Sequence, residues 1–252
     1  MDLGLKDRVA LITGGGGDIG AAIARALAAE GSIVLIADRD NAAAAHVATA
    51  LRAGGARAEA MTLDVGDGAA VAAAFARFDT AQHPLDILVN CAGLLSTGLV
   101  ADLPATEWDR VARVNVSGLL HCAKAAMPTM MARRRGRIIN IASVSAMRGG
   151  GSVGNTLYGA AKAAVAALTM GLARELGPCG ITVNAVAPAI ADTPMTHAAL
   201  TEDARKRILA RIPLGRLAAP SDIASLVTYL ASEAAGFITG AVIPVDGGIL
   251  TT

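Results

Sequence analysis

Seven short apolar runs, at residues 9–13, 33–37, 58–63, 87–90, 137–141, 181–186 and 242–245, alternate along the chain with longer segments of helical periodicity. Most of the runs are continuous rather than alternating, the pattern of strands buried on both faces. The helical segments are 19–30, 41–53, 69–79, 106–133, 156–176 and 221–232, and Thr106 followed three residues later by Asp109 has the form of a helix start. Strand then helix, repeated over the whole length, predicts an α/β fold. The sheet should be doubly wound and mostly parallel, with seven strands and helices on both faces, three layers in all. No linker, internal repeat or low-complexity tail interrupts the pattern, so residues 1–252 read as one domain.

Charge points away from polyanionic partners. Lys plus Arg number 22 and Asp plus Glu 21, so neither nucleic acid nor an anionic membrane is expected as a partner. A hydrophobic share of 54% and a mean hydropathy of +0.51 would suit membrane insertion if the apolar residues were contiguous. The most apolar stretch, 87–105, is broken by Asn90, Gly93, Asp102 and Pro104, whereas a spanning helix needs about 18 or more apolar residues in a row. The first residues hold acids and no long apolar run, unlike a secretory signal, so a cytoplasmic location is expected. Cys91, Cys122 and Cys179 are odd in number and lack a C-x-x-C pair, and His46, His83, His121 and His197 are scattered. Neither a disulfide framework nor a metal site is expected.

After the first apolar run comes Thr13-Gly-Gly-Gly-Gly-Asp-Ile-Gly20, leading straight into a helical segment. Glycines let the backbone approach a pyrophosphate, and a helix N-terminus offers unpaired N–H groups and a positive dipole end. Strand, glycine-rich turn and helix in that order predict a Rossmann-type dinucleotide site with Gly14, Gly17, Ile19 and Gly20 against the cofactor. The second run is followed by Asp38, where such folds place an acid on the adenosine ribose; a carboxylate there favours NAD over NADP. Arg39 next to it is the residue that would turn toward a 2′-phosphate if NADP were bound. Asp18 is the odd member of the turn. A carboxylate about 4 Å from a phosphate charge costs on the order of 4 kcal/mol at an effective dielectric of 20. It is therefore expected to cap the following helix or to reach toward the adenosine side.

Tyr158, one of two tyrosines, precedes Lys162 by four residues in a helical segment, so the two side chains share a face. A nearby ammonium favours the phenolate, which would lower the Tyr158 pKa from its usual value of about 10. Such a pair could be an acid/base catalyst, although the same spacing also arises as a half-buried ring beside a solvated lysine.

The sequence resembles the short-chain dehydrogenase/reductase family from about residue 6 to 248. Thr13, Gly14 and Gly20 match the family's Thr-Gly-x-x-x-Gly-x-Gly, with Asp18 replacing the middle glycine. Asp64-Val65 is similar to its adenine-contacting pair. Asn90-Cys-Ala92-Gly93 resembles Asn-Asn-Ala-Gly, with Cys91 in place of the second asparagine, and the resemblance implies that Asn90, Ala92 and Gly93 lie against the cofactor. Pro188, Ala191 and Thr193 fall in the stretch around the nicotinamide amide, where Ala189 and Ala191 depart from the pattern. Four positions match the catalytic set. The resemblance implies that Asn115 holds a relay water, Ser143 bonds the substrate oxygen, Tyr158 is the base, and Lys162 anchors the nicotinamide ribose. The Ser143 to Tyr158 gap is two residues longer than usual and Ser145 would restore it, so a loop insertion is expected.

What the resemblance implies is an NAD-dependent oxidoreductase moving hydride between nicotinamide and a secondary alcohol or ketone. The substrate pocket should be lined by Leu94, Leu95, Ser145, the 147–157 loop and an excursion at about 189–212 carrying Met195, His197 and Leu200. Arg148 is the candidate for holding an anionic group. Two rivals stand beside this reading. One is an NADPH-dependent 3-oxoacyl carrier-protein reductase, docking its acidic carrier on Arg133, Arg134, Arg135 and Arg137; the other is a non-catalytic nucleotide-binding protein. The family commonly forms homotetramers through the helices starting at 106 and 156 and through the C-terminal segment.

Overall fold

Val9 and Leu11 of β1 (Val9–Thr13) pack into one apolar layer, while their neighbours Ala10 and Ile12 pack into another. Side chains alternate across a strand, so two buried faces require a run that is apolar at every position. The computed structural model that shows this describes residues 2–78, 84–151, 153–194, 196 and 200–251. β2 (Ile33–Asp38), β3 (Ala58–Thr62), β4 (Ile87–Asn90), β5 (Gly136–Ile141), β6 (Ile181–Pro188) and β7 (Val242–Val245) complete the sheet. Its seven strands are ordered β3-β2-β1-β4-β5-β6-β7, and every pairing is parallel.

One face is covered by α1 (Asp18–Ala29), α2 (Asn41–Ala53) and α9 (Pro220–Ala231); the other by α3 (Gly68–Phe75), α5 (Leu119–Ala132) and α7 (Thr156–Leu176). Asp40 and Asp67 cap α2 and α3, each accepting two first-turn N–H groups. A third, smaller cluster of Ile208, Ile212, Leu217 and Ile249 ties the excursion after β6, with its helix α8 (Glu202–Leu209), to the C-terminal segment. The stretch Thr156–Cys179 is long and apolar enough to cross a membrane by length and composition. In the fold, Val165, Leu172, Ala173 and Leu176 of this stretch pack into the core, and Lys162 is buried with them.

Where the structure departs from the sequence pattern, local causes are visible. The expected helix 106–133 is α4 (Glu107–Ala112), a π-helical turn (Arg113–Gly118) and α5. Thr106 is not a capping residue: its backbone is already helical and its side chain makes no cap bond. The expected helix 69–79 is α3 followed by a short 3₁₀ turn, Ala76–Phe78, and its last residue, Asp79, lies outside the described residues. The one-turn helix α6 (Ser145–Arg148) occupies a stretch expected to be loop.

Thr13 pairs with Ala37 on one side and Asn90 on the other. The chain therefore leaves β1 toward β2 and β3, and later crosses back to β4. That reversal of winding opens a crevice at the carboxyl ends of β1 and β4, the place where ligands bind in open α/β sheets.

Candidate active site

The crevice is closed at its base by backbone contact. Thr13 Oγ1 accepts the N–H groups of Cys91 and Ala92, both at 3.2 Å, and so ties the end of β1 to the turn after β4. Gly14 has φ +63, and a Cβ there would stand 2.7 Å from Ala92 Cα; a Cβ on Gly20 would overlap the Gly14 carbonyl oxygen. Only glycine lets α1 begin this close to the strand ends. Above this floor lies a cavity of about 440 Å³. Gly14, Gly17, Asp18, Ile19 and Gly20 line it from the first turn, Asp38 and Arg39 from the end of β2, and Asp64 and Val65 from the end of β3. Ala92 and Gly93 follow β4, and Pro188, Ala191 and Thr193 close it from the end of β6.

At the adenosine end, Asp38 accepts from Gly16 N and Asp40 N, both at 3.0 Å, so its carboxylate is fixed against the glycine turn. Asp64 accepts from Gly66 N at 2.8 Å and from Arg113 Nη1 at 3.2 Å, which connects this end to the π-helical turn. Asp18 requires a correction. Gly17 is the N-cap residue of α1, and Asp18 is an exposed first-turn residue whose side chain makes no cap bond. Its charge complements the positive helix end without bonding to it. Asn90 requires another. It lies off the main cavity and donates through Nδ2 to Asn140 Oδ1 at 2.9 Å, its partner across the β4–β5 pairing.

Four chains of structure bring the catalytic candidates together. The π-helical turn places Asn115, 2% exposed, with Oδ1 accepting from Leu94 N at 2.9 Å and Nδ2 donating to Leu94 O at 2.8 Å. Ser143 follows β5, its hydroxyl oxygen accepting from Ser145 N at 3.1 Å, so its own proton is free to point into the cavity. Tyr158 sits in the first turn of α7 and lines the same cavity as Ser143. One turn on, Lys162 donates to Ile141 O at 2.7 Å, with Nζ 5.7 Å from the Tyr158 ring centre. Asn115 and Lys162 also border a separate cavity of about 10 Å³ behind the site, beside Asn90, whose Oδ1 has no hydrogen-bond partner among the described residues. That space is on the scale of one water molecule.

The electrostatics correct one expectation. Lys162 does not pull the Tyr158 phenol down in this arrangement: burial pushes it up to about 12, only partly opposed by the Ser143 hydrogen bond. Burial likewise lowers Lys162 to about 8 and raises the neighbouring Cys91 thiol to about 12. The site thus holds a neutral phenol and a neutral thiol beside a lysine whose charge is costly to bury.

Leu94, Leu95, Ser145, Arg148, Ala189 and Ile190 line the substrate end of the cavity as expected. Leu200 and Ile212 do not, since both belong to the small cluster beneath the excursion. Met195 and His197 lie outside the described residues. Three site residues escape the sequence pattern: Arg113, Ser96 and Asn155. Asn155 caps α7 by accepting from Tyr158 N at 3.0 Å, while its Nδ2 donates to Ser96 Oγ and its N–H to Ser96 O, both at 2.8 Å. Nearby Glu107 accepts from Arg110 at 2.8 Å, and its carboxyl is held down to about 2 by Arg110 first and the Ser96 hydroxyl second. A polar residue three positions before Tyr158 is the available sequence signal for this cap.

The cradle that added Cβ atoms would fill, the helix end facing it and the fixed acid at the end of β2 fit a dinucleotide. A family model described as enoyl-(acyl carrier protein) reductase matches residues 16–250. The chain is a member of the short-chain dehydrogenase/reductase family. Among its relatives, cis-4-hydroxycyclohexanecarboxylate dehydrogenase of Sinomonas cyclohexanicum is 42% identical over 98% of this chain and 98% of its own. The 3-oxoacyl-[acyl-carrier-protein] reductase of Pseudomonas aeruginosa is 41% identical, with 98% and 99% covered. A crystal structure from Beutenbergia cavernae, of a provisionally assigned NAD(P)-dependent gluconate 5-dehydrogenase with NADP bound at low occupancy, superposes with a TM-score of 0.94. It is 35% identical and both chains are covered in full. This short-chain dehydrogenase/reductase is accordingly an oxidoreductase of CH–OH groups that uses a nicotinamide cofactor.

Proposed function

We propose that the enzyme interconverts a secondary alcohol and its ketone with NAD, using Ser143, Tyr158, Lys162 and Asn115. The placing of Ser143 and Tyr158 together on the wall of the same cavity as the glycine cradle carries this reading. When bound, the nicotinamide supplies the hydride acceptor or donor. Ser143 orients the substrate hydroxyl; in oxidation Tyr158 first loses its phenol proton to the relay behind it and, as the phenolate, takes the hydroxyl proton, while in reduction the neutral phenol gives its proton to the carbonyl oxygen. Lys162, fixed by Ile141 O, stands one helical turn away to bind the cofactor ribose and stabilise the phenolate. Asn115 and Asn90 face the small rear cavity, where a water bonded to them and to Lys162 would carry the proton out.

Asp38 supports NAD, because its fixed carboxylate occupies the end of β2 where a 2′-phosphate would need a cation. Arg39 supports a second reading. It is exposed, lines the cavity and makes no ion pair among the described residues, so it is available to a 2′-phosphate, and the NADP-bound relative agrees with that use. The carrier-protein reductase reading draws less support. Arg133 pairs with Asp86 at 2.6 Å, Arg135 pairs with Glu233, Arg134 donates to Pro178 O, and Arg137 is bonded to Ser232 O.

Turnover of NAD⁺ and NADP⁺ across secondary alcohols, polyols, hydroxy acids and steroids tests the proposal. A kcat/KM at least about 10-fold higher with NAD⁺ is expected; an excess with NADP⁺ gives Arg39 the deciding role. Absence of turnover throughout, with nucleotide still bound, would leave a binding protein. A homotetramer is proposed as well, supported by exposed Trp108 on α4 and Met170 on α7, and light scattering decides it.

A further inference from the structure

The charges around the main cavity are segregated. Asp18, Asp38, Arg39 and Asp64 surround the adenosine end, and Lys162 is spent at the centre on Ile141 O. At the substrate end, among the described residues, the exposed Arg148 is the one charged side chain on the cavity wall, which Leu94, Leu95, Val144, Val153 and Ile190 also line. It makes no hydrogen bond or ion pair among the described residues.

Arg148 stands on a built wall. It ends α6, whose start is fixed where Ser145 N donates to Ser143 Oγ. Gly149 and Gly150 then turn the chain with φ +70 and +134, and Gly150 N returns to Ser145 O at 3.1 Å. Gly151 N bonds Gly154 O at 2.8 Å, and Asn155 is held to Ser96 by two bonds. The turn also lies directly on α7: a Cβ on Gly159 would stand 2.6 Å from the Gly149 carbonyl carbon, and one on Gly154 would overlap the Tyr158 ring. The backbone bearing Arg148 is thus anchored to both the serine and the tyrosine of the site.

We infer that Arg148 is an anion subsite and that the substrate is a secondary alcohol or ketone bearing a carboxylate, held by the guanidinium while its carbinol lies between Ser143 and Tyr158. A planar fork matches a carboxylate in a bidentate pair. A single cation suits one negative charge; a dianionic phosphate would call for a further cation, and the described lining of this end holds none. This specificity rests on the function proposed above.

Two measurements separate the inferences. In the first, hydroxy acids are compared with their methyl esters, the secondary alcohol unchanged, in wild type, Arg148→Lys and Arg148→Gln. Wild type is expected to favour each acid by about 10-fold or more in kcat/KM, chiefly through KM. Arg148→Gln should erase that preference, lowering kcat/KM for the acid about 10-fold more than for its ester, and Arg148→Lys should keep part of it. In the second, cyclohexanecarboxylate, which has no reacting hydroxyl, is titrated into the enzyme–nicotinamide complex. Its affinity should fall about 10-fold in Arg148→Gln. Equal effects on acid and ester, or carboxylate binding indifferent to Arg148→Gln, would overturn the subsite. Carboxylate binding that depends on Arg148 without turnover of any alcohol would support the subsite and count against the proposed reaction.

Discussion

Lys162 Nζ lies 2.7 Å from the carbonyl oxygen of Ile141, the last residue of β5, so the catalytic helix is bolted to the sheet by a buried ammonium. One carbonyl cannot replace a full hydration shell, and burial lowers the Lys162 pKa from 10.5 to about 8. Above that lowered value the folded chain gives up a proton that the unfolded chain keeps until its ordinary value. The unfolded state then binds more protons, and stability rises with pH across that window. Between pH 8 and 10.5, wild type should gain on the order of 3 kcal/mol relative to Lys162→Met. Urea unfolding of both proteins at several pH values measures the difference, and parallel curves would refute the buried charge.

Tyr158→Phe keeps the ring that packs on Gly154 and removes only the hydroxyl. General acid/base catalysis is worth about 10² to 10⁴ in rate, so kcat should drop by that order while nucleotide affinity stays within about twofold. Turnover at wild-type speed would remove Tyr158 from the reaction.

Asp18 contributes a charge near the helix end and no hydrogen bond. Asp18→Gly therefore should leave nucleotide affinity equal or higher, because a carboxylate that repels the pyrophosphate is gone, while stability falls by about 0.5–1 kcal/mol. Calorimetric titration decides it. A tenfold weaker complex would mean that Asp18 contacts the cofactor favourably.

Asn155 joins two jobs in one amide, capping α7 through its oxygen and holding Ser96 through its nitrogen. Asn155→Ala should lose about 1 kcal/mol for the cap alone and lower kcat several-fold as Tyr158 loses its fixed first turn. Asn155→Asp keeps the acceptor, so its melting temperature should stay closer to wild type while the Ser96 tie is lost. Equal melting temperatures for all three proteins would show that the cap carries no weight.

The parts of the molecule legible in the sequence are those whose cause is local. Apolar runs such as 33–37 must be buried on both faces, and Tyr158 and Lys162 share a helix face through spacing alone. The Ser96–Asn155 bond joins residues 59 apart, and no periodicity encodes it. The π-helical turn at Asn115 was hidden for a different reason: one widened turn barely disturbs the apolar spacing of a long helix, yet it redirects a buried side chain toward Leu94. Asn90 matched a motif read as cofactor-binding. Its amide instead turns to Asn140, a neighbour set by the β4–β5 register, which only the assembled sheet specifies.

Gly159 offers the sharpest test of how the substrate wall is held. A Cβ there would overlap Gly150 N and come within 2.6 Å of the Gly149 carbonyl carbon. Those atoms are backbone in a turn with positive φ, so they cannot swing aside as a side chain would. Gly159→Ala must push the turn off α7, at a cost of about 1–3 kcal/mol in stability. The displaced turn carries Arg148 and abuts Tyr158, whereas the glycine cradle after β1 belongs to a different part of the fold. KM for the alcohol should therefore rise and kcat fall, together at least about 10-fold in kcat/KM, with nucleotide affinity unchanged. If nucleotide affinity falls in step with kcat/KM, the turn is not an independent wall and the separation of the two ends of the cavity fails.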